Sequence, residues 1–190
     1  MVTARSQPQA SPPPYTYDDY RQWPDDQRFE LIEGQAWAMS PGPSVVHQQM
    51  VGELFRQVAN ALREHGCRPF ISPLDVLFPR PGENEDKVRT VLQPDLFVVC
   101  DPKKIRPNAV VGAPDWVVEV LSPQTASRDH IAKRRIYEQA GVREYWLVHP
   151  EDRVVMIYRL EGDEFGKLDV VAMEGETKVE ILPEVVIQWG

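Results

Sequence analysis

Two acidic residues stand where acids are costly. Asp95 follows Pro94 directly before the apolar run LFVVC (96–100), and Glu119 sits inside WVVEVL (116–121) with apolar residues on both sides. An ionised carboxylate in such surroundings needs a partner or a metal ion to offset its lost hydration. If the two runs are neighbouring strands, both carboxylates converge at the strand ends. Two acidic oxygens plus waters then suit Mg²⁺, with Mn²⁺ as a substitute, because these ions prefer oxygen ligands. Such an ion activates a water and stabilises charge on a phosphoryl oxygen, which is the chemistry of phosphodiester hydrolysis. Alternation puts the side chain two residues after the acid on the same strand face, where a cation could hold the attacking water or the developing charge. That position is Leu121, which can do neither.

The following segment offers a substitute. Asp129, Lys133 and Tyr137 recur at a spacing of four and share one helix face. A helix returning over the sheet after Glu119 brings the Lys133 ammonium towards the place that Leu121 leaves empty, with Asp129 and Tyr137 orienting it. Ser122 is no nucleophile candidate, since no G-x-S-x-G surrounds it.

Those residues need a scaffold, and the periodicity supplies one. A short helix starts near Thr16, whose capping box is completed by Asp19. RFELIEGQAWAMS reads as a hairpin around Gly34-Gln35, and Ser44 to His65 as a long helix with a stripe of Val46, Met50, Leu54, Val58 and Leu62. CRPFI and LDVLF are strand-like. LFVVC, WVVEVL and YWLVH (145–149) are near-continuous apolar runs of the kind buried on both faces of a sheet. A second helix spans about Ser127 to Ala140, closed by Gly141. RVVMIYRL (153–160) pairs with YWLVH, and the last thirty residues read as two or three antiparallel strands. VEILPEVVIQW either completes the sheet or buries a dimer contact, and a homodimer is the base-rate expectation. Residues 1–14, with four prolines, read as a disordered or loosely docked tail. The remainder reads as one mixed α/β domain around a central sheet.

Composition bounds the function. The 190 residues carry 21 Lys plus Arg against 29 Asp plus Glu, a formal charge of -8. That balance excludes a protein that coats nucleic acid by bulk charge, though not a local site that handles phosphates through a metal ion. Basic residues concentrate at Lys103-Lys104-Arg106 and at Arg128 with Lys133-Arg134-Arg135, on either side of the Glu119 strand. Cys67 and Cys100 lack the paired spacing of a zinc site and read as two buried reduced thiols. No apolar run is long enough to span a membrane, and the first residues lack the apolar core of a secretory signal. A cytoplasmic setting follows.

The run E-V-L-S-P-Q-T…D…K…Y…G-V-R-E-Y-W-L-V-H-P resembles the Uma family of restriction-endonuclease-like proteins, as do F-E-L-I-E-G, then M-S-P, and His47 at the head of the long helix. The likeness covers about residues 15–160, with two departures: Gln124-Thr125 after S-P, and His149 before Pro150. It implies a PD-(D/E)XK nuclease fold over 15–190, a single restriction-endonuclease-like domain with a mixed central sheet flanked by helices and added antiparallel strands. It further implies Asp95 and Glu119 as metal ligands, Lys133 as the relocated catalytic lysine, and Glu30 as a third acid near the metal. On alternation Glu30 points away from the face of Phe29, Leu31 and Glu33. His47 lines the cleft and orders a water or a phosphate, or else serves only capping or packing.

Three activities remain open. The first is a Mg²⁺-dependent endonuclease acting on DNA. The second is a non-catalytic binding or assembly module of the same fold, which the acidic charge favours. The third is a metal-dependent hydrolase of a smaller phosphate substrate.

Overall fold

Strands that are apolar on both faces need cover on both faces. The structure, a computed structural model describing residues 14–24, 28–39, 42–121 and 129–190 (side chains 129 and 130 apart), supplies it with three packed clusters. The expected tail lies, Pro14 excepted, outside the described residues.

In chain order, α1 (Tyr17–Tyr20) precedes the hairpin of β1 (Phe29–Ile32) and β2 (Gln35–Ala38), and α2 (Val45–Ala61) follows. Then come β3 (Arg68–Ile71), β4 (Asp75–Leu77), β5 (Val91–Leu92), β6 (Leu96–Val99), β7 (Ala109–Val111) and β8 (Trp116–Val120). After α3 (Asp129–Ala140) run β9 (Glu144–His149), β10 (Val154–Glu161), β11 (Glu164–Phe165), β12 (Asp169–Ala172), β13 (Gly175–Lys178) and β14 (Val186–Trp189).

The central sheet has seven strands in the order β11-β10-β9-β8-β6-β3, with β12 also on β10. β8 and β9 are parallel and joined through α3, while β6 runs antiparallel to β8. Period-two alternation divides the core. Leu96, Val98, Val118 and Val120 face α2 and the C-terminal residues Val179, Leu182, Val185 and Ile187. Phe97, Val99, Val117 and Leu121 face Tyr137 of α3 and Val76 and Leu92 of a second sheet, ordered β2-β1-β5-β4-β7. That second sheet packs its far side on α1 through Tyr17, Leu31 and Val91. Each fully buried large apolar side chain contributes about 1.5–3 kcal/mol, so these clusters fix the layers.

Several expectations shift. The buried stripe of α2 is Val51, Leu54, Val58 and, just past its end, Leu62; Val45 and Val46 are exposed at the solvent-facing start. The hairpin turns at Glu33-Gly34, both with positive φ (50° and 82°), because a two-residue turn of that hand matches strand twist. Gly34 is required there twice over, since a side chain would also strike the Pro14 side chain. The two-residue β5 and three-residue β7 are too short to show a period. α3 is described from Asp129, and Gly141 closes it with φ 85°. The C-terminal residues form their own two-stranded sheet against α2, with Val179, Leu182, Val185 and Ile187 buried within this chain, rather than completing the central sheet.

The cysteines are not reduced thiols: Cys67 and Cys100 form a disulfide. β3 pairs Arg68 with Val99, which sets the two cysteines opposite each other one step beyond the ladder. Only strand register brings them together, and spacing along the chain carries no trace of it. Among the described residues, no helix is long and apolar enough to cross a membrane.

Candidate active site

The register of β6 on β8 pairs Leu96 with Val118 and Val98 with Trp116. One step along it, Asp95 stands opposite Glu119, and residues directly opposite in an antiparallel pair point to the same face. Glu119 lies between Val118 and Val120, which face α2, so its side chain emerges on the α3 side. β6 begins only at Leu96, leaving the Val120 N–H beyond the end of its ladder. Asp95 Oδ2 accepts that N–H at 2.8 Å and lies 3.1 Å from His47 Nε2. His47 comes from the first turn of α2, where Ser44 Oγ accepts its backbone N–H as the cap.

α3 lays two side chains over Glu119 from successive turns. Tyr137 donates its hydroxyl to Glu119 Oε1 at 2.6 Å, and Lys133 Nζ lies 3.2 Å from the same oxygen. Lys133 also lies 2.8 Å from Glu30 Oε1, which in turn accepts the Gln93 backbone N–H at 3.0 Å. Glu30, Glu119 and Lys133 are buried to 6%, 5% and 7% exposure, so one ammonium offsets two carboxylates in a place that water scarcely reaches.

Protonation follows from that setting. Burial pushes the Glu119 carboxyl up to about 7; Lys133 and the Tyr137 hydroxyl oppose the rise, while Asp95 and Glu30 add to it. Burial disfavours the Lys133 charge, but Glu119 and Glu30 outweigh it and hold the ammonium above its ordinary value. Burial and the Glu119 charge raise the Tyr137 hydroxyl well above 10, so it remains a donor. The Asp95 hydrogen bond raises His47 against the opposing effect of burial.

Six side chains singled out in the sequence therefore meet: Asp95, Glu119, Lys133, Tyr137, Glu30 and His47. Tyr137 orients Glu119 rather than Lys133 directly. Asp129 opens α3, and its side chain lies outside the described residues. Glu33 sits in the turn, away from the cluster. The basic segments are largely engaged elsewhere: Lys104 donates to the Ala113 carbonyl, Arg106 pairs with Glu85, and Arg134 with Glu138. Gln93 was the residue missed. Its place in Q-P-D, two positions before Asp95, was the available signal, and its amide joins Tyr20 and Asp75 in a network beside the site.

The donor set suits a hard cation that keeps much of its own water. Among the described residues, no group of three or more His, Cys, Asp or Glu is arranged to hold a metal ion. Asp95 and Glu119 nevertheless each engage one oxygen, and no described residue donates to Asp95 Oδ1 or Glu119 Oε2. Two carboxylate oxygens with the remaining positions taken by water and substrate match the habit of Mg²⁺.

The Uma2 family model, described as "Putative restriction endonuclease", matches residues 17–189. An uncharacterized protein of Synechocystis sp. (strain ATCC 27184 / PCC 6803 / Kazusa) is 29% identical over 159 residues, covering 82% of this chain and 80% of its own. The crystal structure of a "putative nuclease belonging to DUF820" from Anabaena variabilis ATCC 29413 superposes with a TM-score of 0.73 at 20% identity, over 92% of this chain and 95% of that one.

Proposed function

This chain belongs to the Uma2 family and has a nuclease-like α/β fold, and from that premise we propose that it is a metal-dependent endonuclease hydrolysing DNA phosphodiester bonds. Family and fold support a nuclease-like function in general. One observation carries the finer reading: a buried lysine, delivered by a helix, lies 3.2 Å from the strand acid that faces Asp95. A structural ion pair alone would not need a second acid opposite Glu119 on the same sheet face.

In this reading Asp95 and Glu119 hold the ion through Oδ1 and Oε2, to which no described residue donates. Bound there, Mg²⁺ or Mn²⁺ would supply positive charge at a phosphoryl oxygen and acidify a water. The chain's own groups do the rest. Tyr137 fixes one Glu119 oxygen by its hydrogen bond and so aims the other. Val120 N–H and His47 do the same for Asp95. Lys133, permanently protonated between Glu30 and Glu119, donates to the attacking water or to a non-bridging phosphate oxygen as negative charge builds there. Glu30 gives that ammonium a second anchor beside Glu119.

The test is nicking of supercoiled DNA by the purified full chain with Mg²⁺ or Mn²⁺, against the Glu119→Gln variant. Activity in the wild type and its loss in a folded variant is the expected result. Equal nicking by both would reject the assignment, and cleavage confined to small phosphate esters would move the substrate away from DNA.

A further inference from the structure

On the α1 side of the second sheet lies a cleft of about 800 Å³ that the proposed chemistry does not use. Its volume falls within the ~300–1,000 Å³ range of small-molecule sites. One wall is aromatic: Tyr20, Trp23 and Phe29 meet at ring-centroid distances of 5.3 and 5.2 Å. Their planes cross at 58° and 75°, so none of the three covers another face to face, while Tyr17 stacks on one face of Tyr20 at 6.0 Å. Opposite chemistry comes from Asp75, a half-buried acid whose Oδ1 accepts from the Tyr20 hydroxyl at 3.0 Å and from Gln93 Nε2 at 2.9 Å. No described residue donates to Asp75 Oδ2. Arg28 Nη2 donates to the neutral Ser72 Oγ and Gln93 Oε1, both at 2.7 Å, and a guanidinium with five donors retains others for a ligand.

Gln93 ties this cleft to the cluster. Its backbone N–H holds Glu30, the partner of Lys133, while its side chain holds Asp75 and Tyr20. Gln93, just past the end of β5, is therefore the link across the sheet between the cleft and the cluster.

We infer that the cleft takes one unstacked nucleobase of the nucleic-acid substrate, lying against Tyr20, Trp23 and Phe29, with a base N–H or amine donating to Asp75 and the sugar-phosphate side facing Arg28. This rests on the nuclease reading and narrows it. A paired base has its faces covered by its neighbours and its edge taken by its complement, so the substrate must be single-stranded or must surrender a base from its stack. The net charge of -8 then ceases to be an obstacle. Duplex binders gain affinity by neutralising many phosphates, whereas single-strand sites draw about 1–3 kcal/mol from each base stacked on an aromatic ring.

The experiment measures binding of the full chain to a short oligonucleotide bearing 2-aminopurine, without divalent ions, against the same sequence as a blunt duplex. The expected result is at least about tenfold tighter binding of the single strand. Trp23→Ala should weaken it on the order of tenfold and abolish the 2-aminopurine quenching, with Trp23→Phe restoring most of both. Asp75→Asn, which preserves shape and removes an acceptor, should weaken it several-fold and serves if Trp23→Ala does not fold. Equal affinity for duplex and single strand, or unchanged binding in folded variants, overturns the inference. Plasmid nicking is scored separately. Base binding without cleavage would leave the cleft assigned and reject the nuclease, and cleavage that ignores both variants would do the reverse.

Discussion

Lys133 Nζ and Glu30 Oε1 meet at 2.8 Å, joining the helix after the central sheet to the hairpin near the start of the chain. Glu119 shares the same ammonium from a third element. A buried charge with two partners on separate elements is a structural tie as well as a candidate catalytic group.

Removing the cation should therefore be costly for the fold. Lys133→Met strands two buried carboxylates, and loss of one partner from a buried pair typically costs about 3–5 kcal/mol. Urea denaturation near pH 8 is the measurement, and a loss below about 1 kcal/mol would contradict the burial described.

Tyr137→Phe removes a single donor from Glu119. The lost hydrogen bond should cost about 1–3 kcal/mol. Because the hydroxyl holds the Glu119 carboxyl down, its midpoint should rise above about 7 in metal-free protein, read by ¹³C NMR of labelled glutamate. The sign for stability follows: a raised carboxyl contributes fully below its unfolded value of 4.5, and that contribution is lost as pH climbs through about 7.

His47 should titrate above 6.5 in the metal-free protein, since Asp95 favours its protonated form. The stability it supplies is complete below 6.5 and is lost as pH rises through the raised folded value. In Asp95→Asn the opposing effect of burial should pull the midpoint down again. Histidine ring NMR reports both, and a midpoint unchanged by the substitution would remove Asp95 as the cause.

Thiol labelling of the unreduced, unfolded protein should find no free cysteine. Reduction, or Cys67→Ser with Cys100→Ser, should lower stability by about 3–4 kcal/mol, the loop-closure value for a bridge across 33 positions.

Much of this was legible in the sequence, for identifiable reasons. Glu119 was conspicuous because five apolar neighbours in a row admit no ordinary exposed acid, and Lys133 because helix period aligned it with Tyr137. Glu30 came from the family resemblance of F-E-L-I-E-G, with alternation setting it opposite Glu33, which sits in the turn instead. What escaped depends on register and on contacts between distant segments. The disulfide needs β3 set on β6, and the Gln93 network needs Tyr20, Asp75 and Glu30 brought from three elements. No local period encodes either.

Leu121, where a strand lysine would stand, is now 9% exposed and packed among Phe97, Val117 and Tyr137. A lysine placed there would enter an apolar setting. Leu121→Lys would put an ammonium among apolar side chains with the carboxylates already claimed by Lys133, at the cost of an unpaired buried charge. Lys133→Leu made first would strand those carboxylates before any replacement arrived. Each single step leaves buried charge uncompensated, so positions 121 and 133 are coupled: only the paired exchange keeps one ammonium for these carboxylates.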